Sequence, residues 1–164
     1  MTFLEDIHDE PDVDLFLLAT CNDPSGLKPE FLNRFDEAWM LDLPRVQDRT
    51  GVLQLSLRAN GYDPSALGGL DQVAALTEGF SGRELDKLVE SAMWRALGDG
   101  KRRATVPDLL ACAKDTTPVS KSAAEQVARL REWCKGRTRP ASEPESLQRN
   151  LSGRSVQVDG REAL

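Results

Sequence analysis

Two strands of a parallel α/β sheet followed by an all-α bundle is the architecture this chain predicts, on three observations. Leu15 to Ala19 is an apolar run of strand length that stops at Thr20, Cys21 and Asn22, and a continuous run of this kind suits a strand covered on both faces. Ala38 to Leu43 is a second such run, reached through a turn. From Pro44 onward the apolar residues recur at helical spacing instead.

The elements follow in order. Asn22 would stand at the carboxyl end of the first strand, the edge where ligands bind in open α/β sheets, and its amide can hold a water or a phosphate oxygen in a fixed direction. The same Asn-Asp-Pro sequence also suits an Asx-type turn. Asp23, Pro24, Ser25 and Gly26 turn the chain, and a short helical piece runs around Pro29 to Leu32. Arg34 then precedes the second strand at an exposed corner, where Asp36 or Glu37 could pair with it.

After Pro44 a first helix is expected over 45–59, with Val46, Leu53 and Leu57 on a common stripe and Gly61 near its stop. A loop, Tyr62-Asp63-Pro64-Ser65, leads to a second, short helix with Leu70, Val73 and Ala74 inward, ending near Glu78 and Gly79. The third helix has the strongest pattern. Ser81 can cap its first turn with Glu84 three residues on, and Leu85, Leu88, Val89, Ala92, Met93, Ala96 and Leu97 recur at helical spacing until Gly98 and Gly100. Thr105, Pro107 and Asp108 open a fourth helix that has Leu109, Leu110 and Cys112 to bury. A last helix, Ser122 to Lys135, has a capping pair in Ser122 and Glu125 and an apolar stripe of Ala123, Val127, Leu130 and Cys134, with Trp133 at its edge. Residues 143–164 are rich in Ser, Glu, Arg and Gly and read as disordered.

Composition bounds the function classes. A chain of 164 residues with 40% hydrophobic residues can bury one modest core. The net charge of -6 argues against a general nucleic-acid or acidic-membrane surface, since both need a local positive field. Six acids lie between Glu5 and Asp14, and Lys121 to Arg139 is a basic helix and its exit; both read as solvated surface. Cys21, Cys112 and Cys134 have no short pairing or metal spacing, so reduced thiols in the cytoplasm are expected. His8 stands alone among acids, and no metal site is expected. No apolar segment approaches the roughly 20 residues needed to span a membrane.

Three motifs in order resemble the AAA ATPases of the AAA+ superfamily: ATCND at 19–23 is similar to sensor 1, PEFLNRFDE at 29–37 to the arginine-finger segment, and GFSGREL at 79–85 to the start of the sensor 2 helix. Thr2-Phe3-Leu4 and LREWCKGRTRPAS at 130–142 extend the likeness, which covers roughly Thr2 to Ser142 and is greatest to the uncharacterised AAA ATPases of cyanobacteria, plastids and other bacteria. The resemblance implies that the strands belong to a P-loop NTPase parallel sheet and the helices to the AAA lid. Its implied domains are 1–44, the C-terminal part of the large α/β subdomain; 45–118, the helical lid; 119–142, a C-terminal helix; and 143–164, the tail.

The resemblance also gives residues their roles. Asn22 would orient the attacking water opposite the γ-phosphate of the subunit's own nucleotide. Arg34 would be the arginine finger, reaching in trans into a neighbour's ATP site. Arg83 would touch nucleotide phosphates from the lid, a task suited to a guanidinium's fork of donors. Asn33 directly precedes Arg34, as in Clp-like AAA+ proteins, where most AAA-clade relatives carry a further arginine.

The phosphate-cradling pattern G-x-x-x-x-G-K-(S/T) does not occur. Gly100-Lys101 is followed by Arg102, and Asp9-Glu10 does not end an apolar strand as a magnesium-holding pair should. ATP and magnesium are therefore implied for a complete module and not expected to bind this chain alone. In the family's sheet the strand bearing the phosphate loop lies between the two strands present here, so their apolar edges would be left unpaired. The expected partners are further copies or intact AAA subunits, with a protein substrate possible and no nucleic acid or membrane. Two readings stay open: the sensor, finger and lid portion of an AAA ATPase, or a stand-alone helical interaction or regulatory module that docks to intact AAA subunits.

Overall fold

A computed structural model describes residues 16–100 and 102–142. The acidic segment, His8, Lys101 and the tail at 143–164 lie outside the described residues. The described residues divide into two compact units, one holding Phe16–Gly26 with Asp42–Trp133, the other Leu27–Leu41 with 134–142.

In the first unit four helices bury one core. They are α2 (Val46–Ala59), α3 (Leu70–Leu76), α4 (Gly82–Gly98) and α5 (Val106–Asp115), with a 3-10 turn, Pro64–Leu67, between the first two. Leu53 and Leu57 from α2 meet Val73 from α3, Leu85 and Val89 from α4, Leu109 from α5 and the loop residue Phe80. Full burial of each such side chain is worth roughly 1.5–3 kcal/mol. The spacing that forms α4 also orients it: Leu85, Leu88, Val89, Ala92 and Ala96 face inward, while Trp94, half a turn round, is 72% exposed. The expected stripes are narrower than the sequence suggests. Val46 and Leu97 are 47% and 48% exposed, because each sits at a helix end where neighbouring helices no longer cover it.

Side-chain caps and glycines set the helix ends. Ser81 Oγ accepts from Glu84 N at 3.3 Å, and Glu84 Oε2 accepts from Ser81 N at 2.7 Å, the reciprocal pair expected from the sequence. Asp108 Oδ2 accepts from Thr105 N at 2.9 Å. At the end of α2, Gly61 N donates to Arg58 O and Tyr62 N to Leu57 O, both at 2.9 Å, closing a Schellman motif on Gly61 at φ 74°.

The second unit contains the short helix α1 (Pro29–Leu32) and a parallel pair, β1 (Trp39–Met40) with β2 (Arg139–Pro140). Arg139 N donates to Ala38 O and Ala141 N to Met40 O, each at 2.9 Å. Pro140 falls between these donors, where the ladder needs no N–H from it.

A small parallel sheet and the helical bundle of the predicted fold are both present, with three corrections. The strand expected over Ala38 to Leu43 is only Trp39–Met40, and its edge, expected to be unpaired, is taken by Arg139–Pro140. Phe16–Thr20 form no strand, and Phe16 is 89% exposed: the run has the apolar character of a covered strand but no hydrogen-bonded neighbour among the described residues. The helix expected from Ser122 is two pieces, α6 (Val119–Ser122) and α7 (Ala124–Cys134), with Ser122 ending the first instead of capping the second. Ala123, at φ -127°, breaks the run, and of the expected stripe only Cys134 is fully buried.

Candidate functional site

Asn22 lies in irregular chain immediately before a 3-10 turn, Pro24–Gly26, and is exposed. The side chain that closes this turn belongs to its neighbour: Asp23 Oδ1 accepts from Ser25 Oγ at 2.6 Å and from Ser25 N at 3.0 Å, and these bonds hold the Asp23 carboxyl below its ordinary pKa. The Asx role open to Asn22 is thus taken by Asp23, and the Asn22 amide faces solvent.

Arg34 occupies the turn after α1, its N–H donating to Phe31 O at 3.3 Å. It is half-buried, which corrects the expected exposed corner. The Phe31 and Phe35 rings flank it in sequence and meet edge to face at 5.4 Å. Glu37, one partner considered for Arg34, instead accepts from Arg139 Nη1 at 2.6 Å.

Arg83 is the second residue of α4 and is exposed. Its neighbour Glu84 is committed elsewhere, to the Ser81 cap and, through Oε1, to Val119 N at 2.8 Å. Asn22 and Arg83 belong to one compact unit and Arg34 to the other.

Sequence reasoning missed two arginines that turn out to be architectural. Arg102, the residue that spoils the phosphate-loop look-alike, grips Asp108 with Nη1 to Oδ2 at 2.6 Å and Nη2 to Oδ1 at 2.8 Å, and gives Nε to Asp99 Oδ2 at 3.0 Å. The Arg102 guanidinium, with Thr105 adding hydrogen bonds, holds the Asp108 carboxyl far below the usual carboxylate range despite its burial. Arg49, 6% exposed, donates Nε to Ala74 O at 2.8 Å and Nη1 to Pro44 O at 2.9 Å. Asp108 was legible as a helix cap, but nothing in the sequence around Arg49 or Arg102 marks their carbonyl and carboxylate partners. Beside this cluster Arg103 stacks over the Tyr62 ring at 4.1 Å while Tyr62 Oη accepts from Ala104 N at 3.1 Å.

Among the described residues no group of three or more His, Cys, Asp or Glu side chains could hold a metal ion. No described helix is long and apolar enough to cross a membrane.

No family model matches the chain. The AAA domain-containing protein ycf46 of Trieres chinensis, itself described as uncharacterized, is 30% identical over 131 residues, which cover 78% of this chain and 26% of that protein. The crystal structure of the FIGL-1 AAA domain superposes with a TM-score of 0.65 at 24% identity, over 82% of this chain and 48% of that one, and so supports the fold. This chain is related to the AAA ATPases. A third AAA relative, the ATP-dependent zinc metalloprotease FtsH of Acidothermus cellulolyticus, is 38% identical over 101 residues, or 60% of this chain and 15% of that protein. The chain thus spans about a quarter or less of the length of these curated AAA relatives.

Proposed function

We propose that the chain is the sensor, arginine-finger and lid portion of an AAA+ ATPase, acting on ATP as part of a complete module within an oligomer. Its relation to AAA proteins supports this, and one observation carries it further: the α4 first turn is capped from within by Ser81 and Glu84, which leaves Arg83 exposed. A guanidinium there has its donors available for phosphate oxygens. Asn22 supplies an exposed amide in the same compact unit and orients the attacking water in cis; Arg34 stabilises phosphoryl charge in a neighbouring subunit's site. Similar proteins lend support on nucleotide and assembly: one FIGL-1 AAA domain structure is a complex with ADP, and a katanin structure concerns self-assembly.

The donors present suit the phosphates of ATP. Magnesium is implied only for the complete module, where one or two carboxylates and the nucleotide's own phosphates would hold it. Bound ATP would supply the phosphoryl group; this chain's share is to place an amide, a lid guanidinium and a trans guanidinium around it. Domain assignments follow the same reading: 1–44 from the large subdomain, 45–118 the lid, and 119–142 a C-terminal segment carrying α6, α7 and β2.

The test is a graft onto the nucleotide-gripping half of an AAA relative. Asn22→Ala slows hydrolysis there and spares ATP binding, whereas lost ATP affinity with normal turnover contradicts the assignment. The purified chain alone should show no measurable ATP affinity; measurable affinity would mean that it grips nucleotide without the phosphate loop. Failure of the graft to restore hydrolysis, with retained capture of intact AAA subunits, would favour the docking-module reading.

A further inference from the structure

Helices α6 and α7 stand apart from the packing that makes the core. That packing runs α2 on α3 and α4, and α5 on α3 and α4, whereas α6 buries none of its residues and α7 only Cys134. Polar contacts therefore have to hold α6 in place.

The main one is the Glu84 carboxylate. Oε2 accepts from Ser81 N at 2.7 Å and Ser81 Oγ at 2.8 Å, which caps α4. Oε1 accepts from Val119 N at 2.8 Å, across a sequence separation of 35 residues. Next to this bond Ser120 N donates to Gly79 O at 3.3 Å, and Pro118 is buried. Gly79 sits at φ 79°, and a Cβ there would overlap the Ser120 side chain, so the close approach depends on glycine. A carboxylate has an acceptor oxygen for each of the two tasks. An amide has only one.

We propose that Glu84 is a latch: one oxygen caps α4 while the other fastens α6 as a strap onto the first turn of α4, and α6 opens when that second bond is lost, while α7 keeps its own tether, the Arg131 guanidinium on both Asp42 oxygens at 2.8–3.1 Å. The latch stands independently of any role in nucleotide binding. Its consequence for function rests on the reading of Arg83 given above, because Arg83 lies in the turn to which the strap is fastened, and binding there and strap closure would be thermodynamically linked.

Amide hydrogen exchange on the full chain without nucleotide tests the latch alone. In Glu84→Gln the glutamine still serves as the third residue of a capping box but cannot accept from Val119 as well. Protection at Glu84 and Leu85 is retained, and the amides of Val119 to Ala123 exchange about tenfold faster, a shift of about 1.4 kcal/mol in local opening. Val119→Pro, which removes the N–H donor of the latch at the first position of α6, where proline is tolerated, and leaves the Glu84 carboxylate and its cap untouched, accelerates the amides of Ser120 to Ala123 and decides the matter if E84Q fails to fold. Unchanged exchange at Ser120 to Ala123 in the folded variants would overturn the proposal, as would a loss of protection spread equally over α2 to α5.

Discussion

Replacing Arg49 by alanine removes two buried tethers at once, and the structure sets the size of the loss. Nε serves the Ala74 carbonyl, near the end of α3, where the last carbonyls of a helix have no intrahelical donor. Nη1 serves Pro44, where the chain turns into α2. A hydrogen bond from a charged donor contributes about 1.5–3 kcal/mol net. Two considerations lower the sum. Pro44 is only half-buried, so water can replace the lost donor, and Thr77 Oγ1 already lies 3.3 Å from Ala74 O and can partly compensate. The expected destabilisation is about 2–3 kcal/mol, equivalent to roughly 10–20 °C in Tm for a unit of this size. Arg49→Lys should cost about half as much, since a point-like ammonium cannot reproduce the fork to both carbonyls. Urea and thermal unfolding followed by helical circular dichroism measure both. An R49A variant within about 0.5 kcal/mol of the parent, the range of an ordinary surface change, would refute the tether argument.

Three further outcomes follow from side-chain environments elsewhere in the protein. Because the Arg102 guanidinium depresses the Asp108 pKa in the folded state, the stability this pair contributes is fully present above the ordinary carboxylate pKa of about 4 and is lost as pH falls below it; Asp108→Asn should flatten that acid limb of an unfolding-against-pH profile, and an unchanged limb would assign it to other groups. Under native conditions a thiol reagent should modify exposed Cys21 quickly and buried Cys134 slowly, with Cys112 slowed by burial that pushes its pKa up; three equal rates would contradict these environments. Hydrogen exchange at Leu17 and Leu18 should be far faster than at Leu88 and Val89, and equal protection would show that the apolar run is paired in solution.

Much of the bundle was legible because its helices carry their own instructions. Ser81 with Glu84 and Thr105 with Asp108 mark two starts, Gly61 marks a stop, and the inward faces of α3 and α4 follow from spacing alone. The strand at Leu15 to Ala19 misled because an apolar run reports what a segment would do between neighbours, and pairing needs those neighbours to be present. The C-terminal helix misled differently. Ser122 and Glu125 satisfy the capping pattern, but Val119 N donates to Glu84 across the fold, a separate short helix forms over Val119–Ser122, and the long helix starts only at Ala124. At the candidate site the motif residues could be found but not their surroundings: that Asp23 would close the turn beside Asn22, and that Arg139 would take Glu37, depends on partners up to 102 positions away.

The β1–β2 pair carries a consequence for how the chain folds. It joins Trp39 to Arg139 through strands of two residues each, so a few hydrogen bonds must compensate the closure of a loop of about 100 residues in an otherwise unstructured chain. They cannot do so alone, and non-local pairing of this sort is slow. The ladder should therefore form late, after helices between its strands have shortened the effective loop. Variants that slow α2–α5 should delay the sheet, while breaking the ladder should leave the refolding rate of the helices nearly untouched.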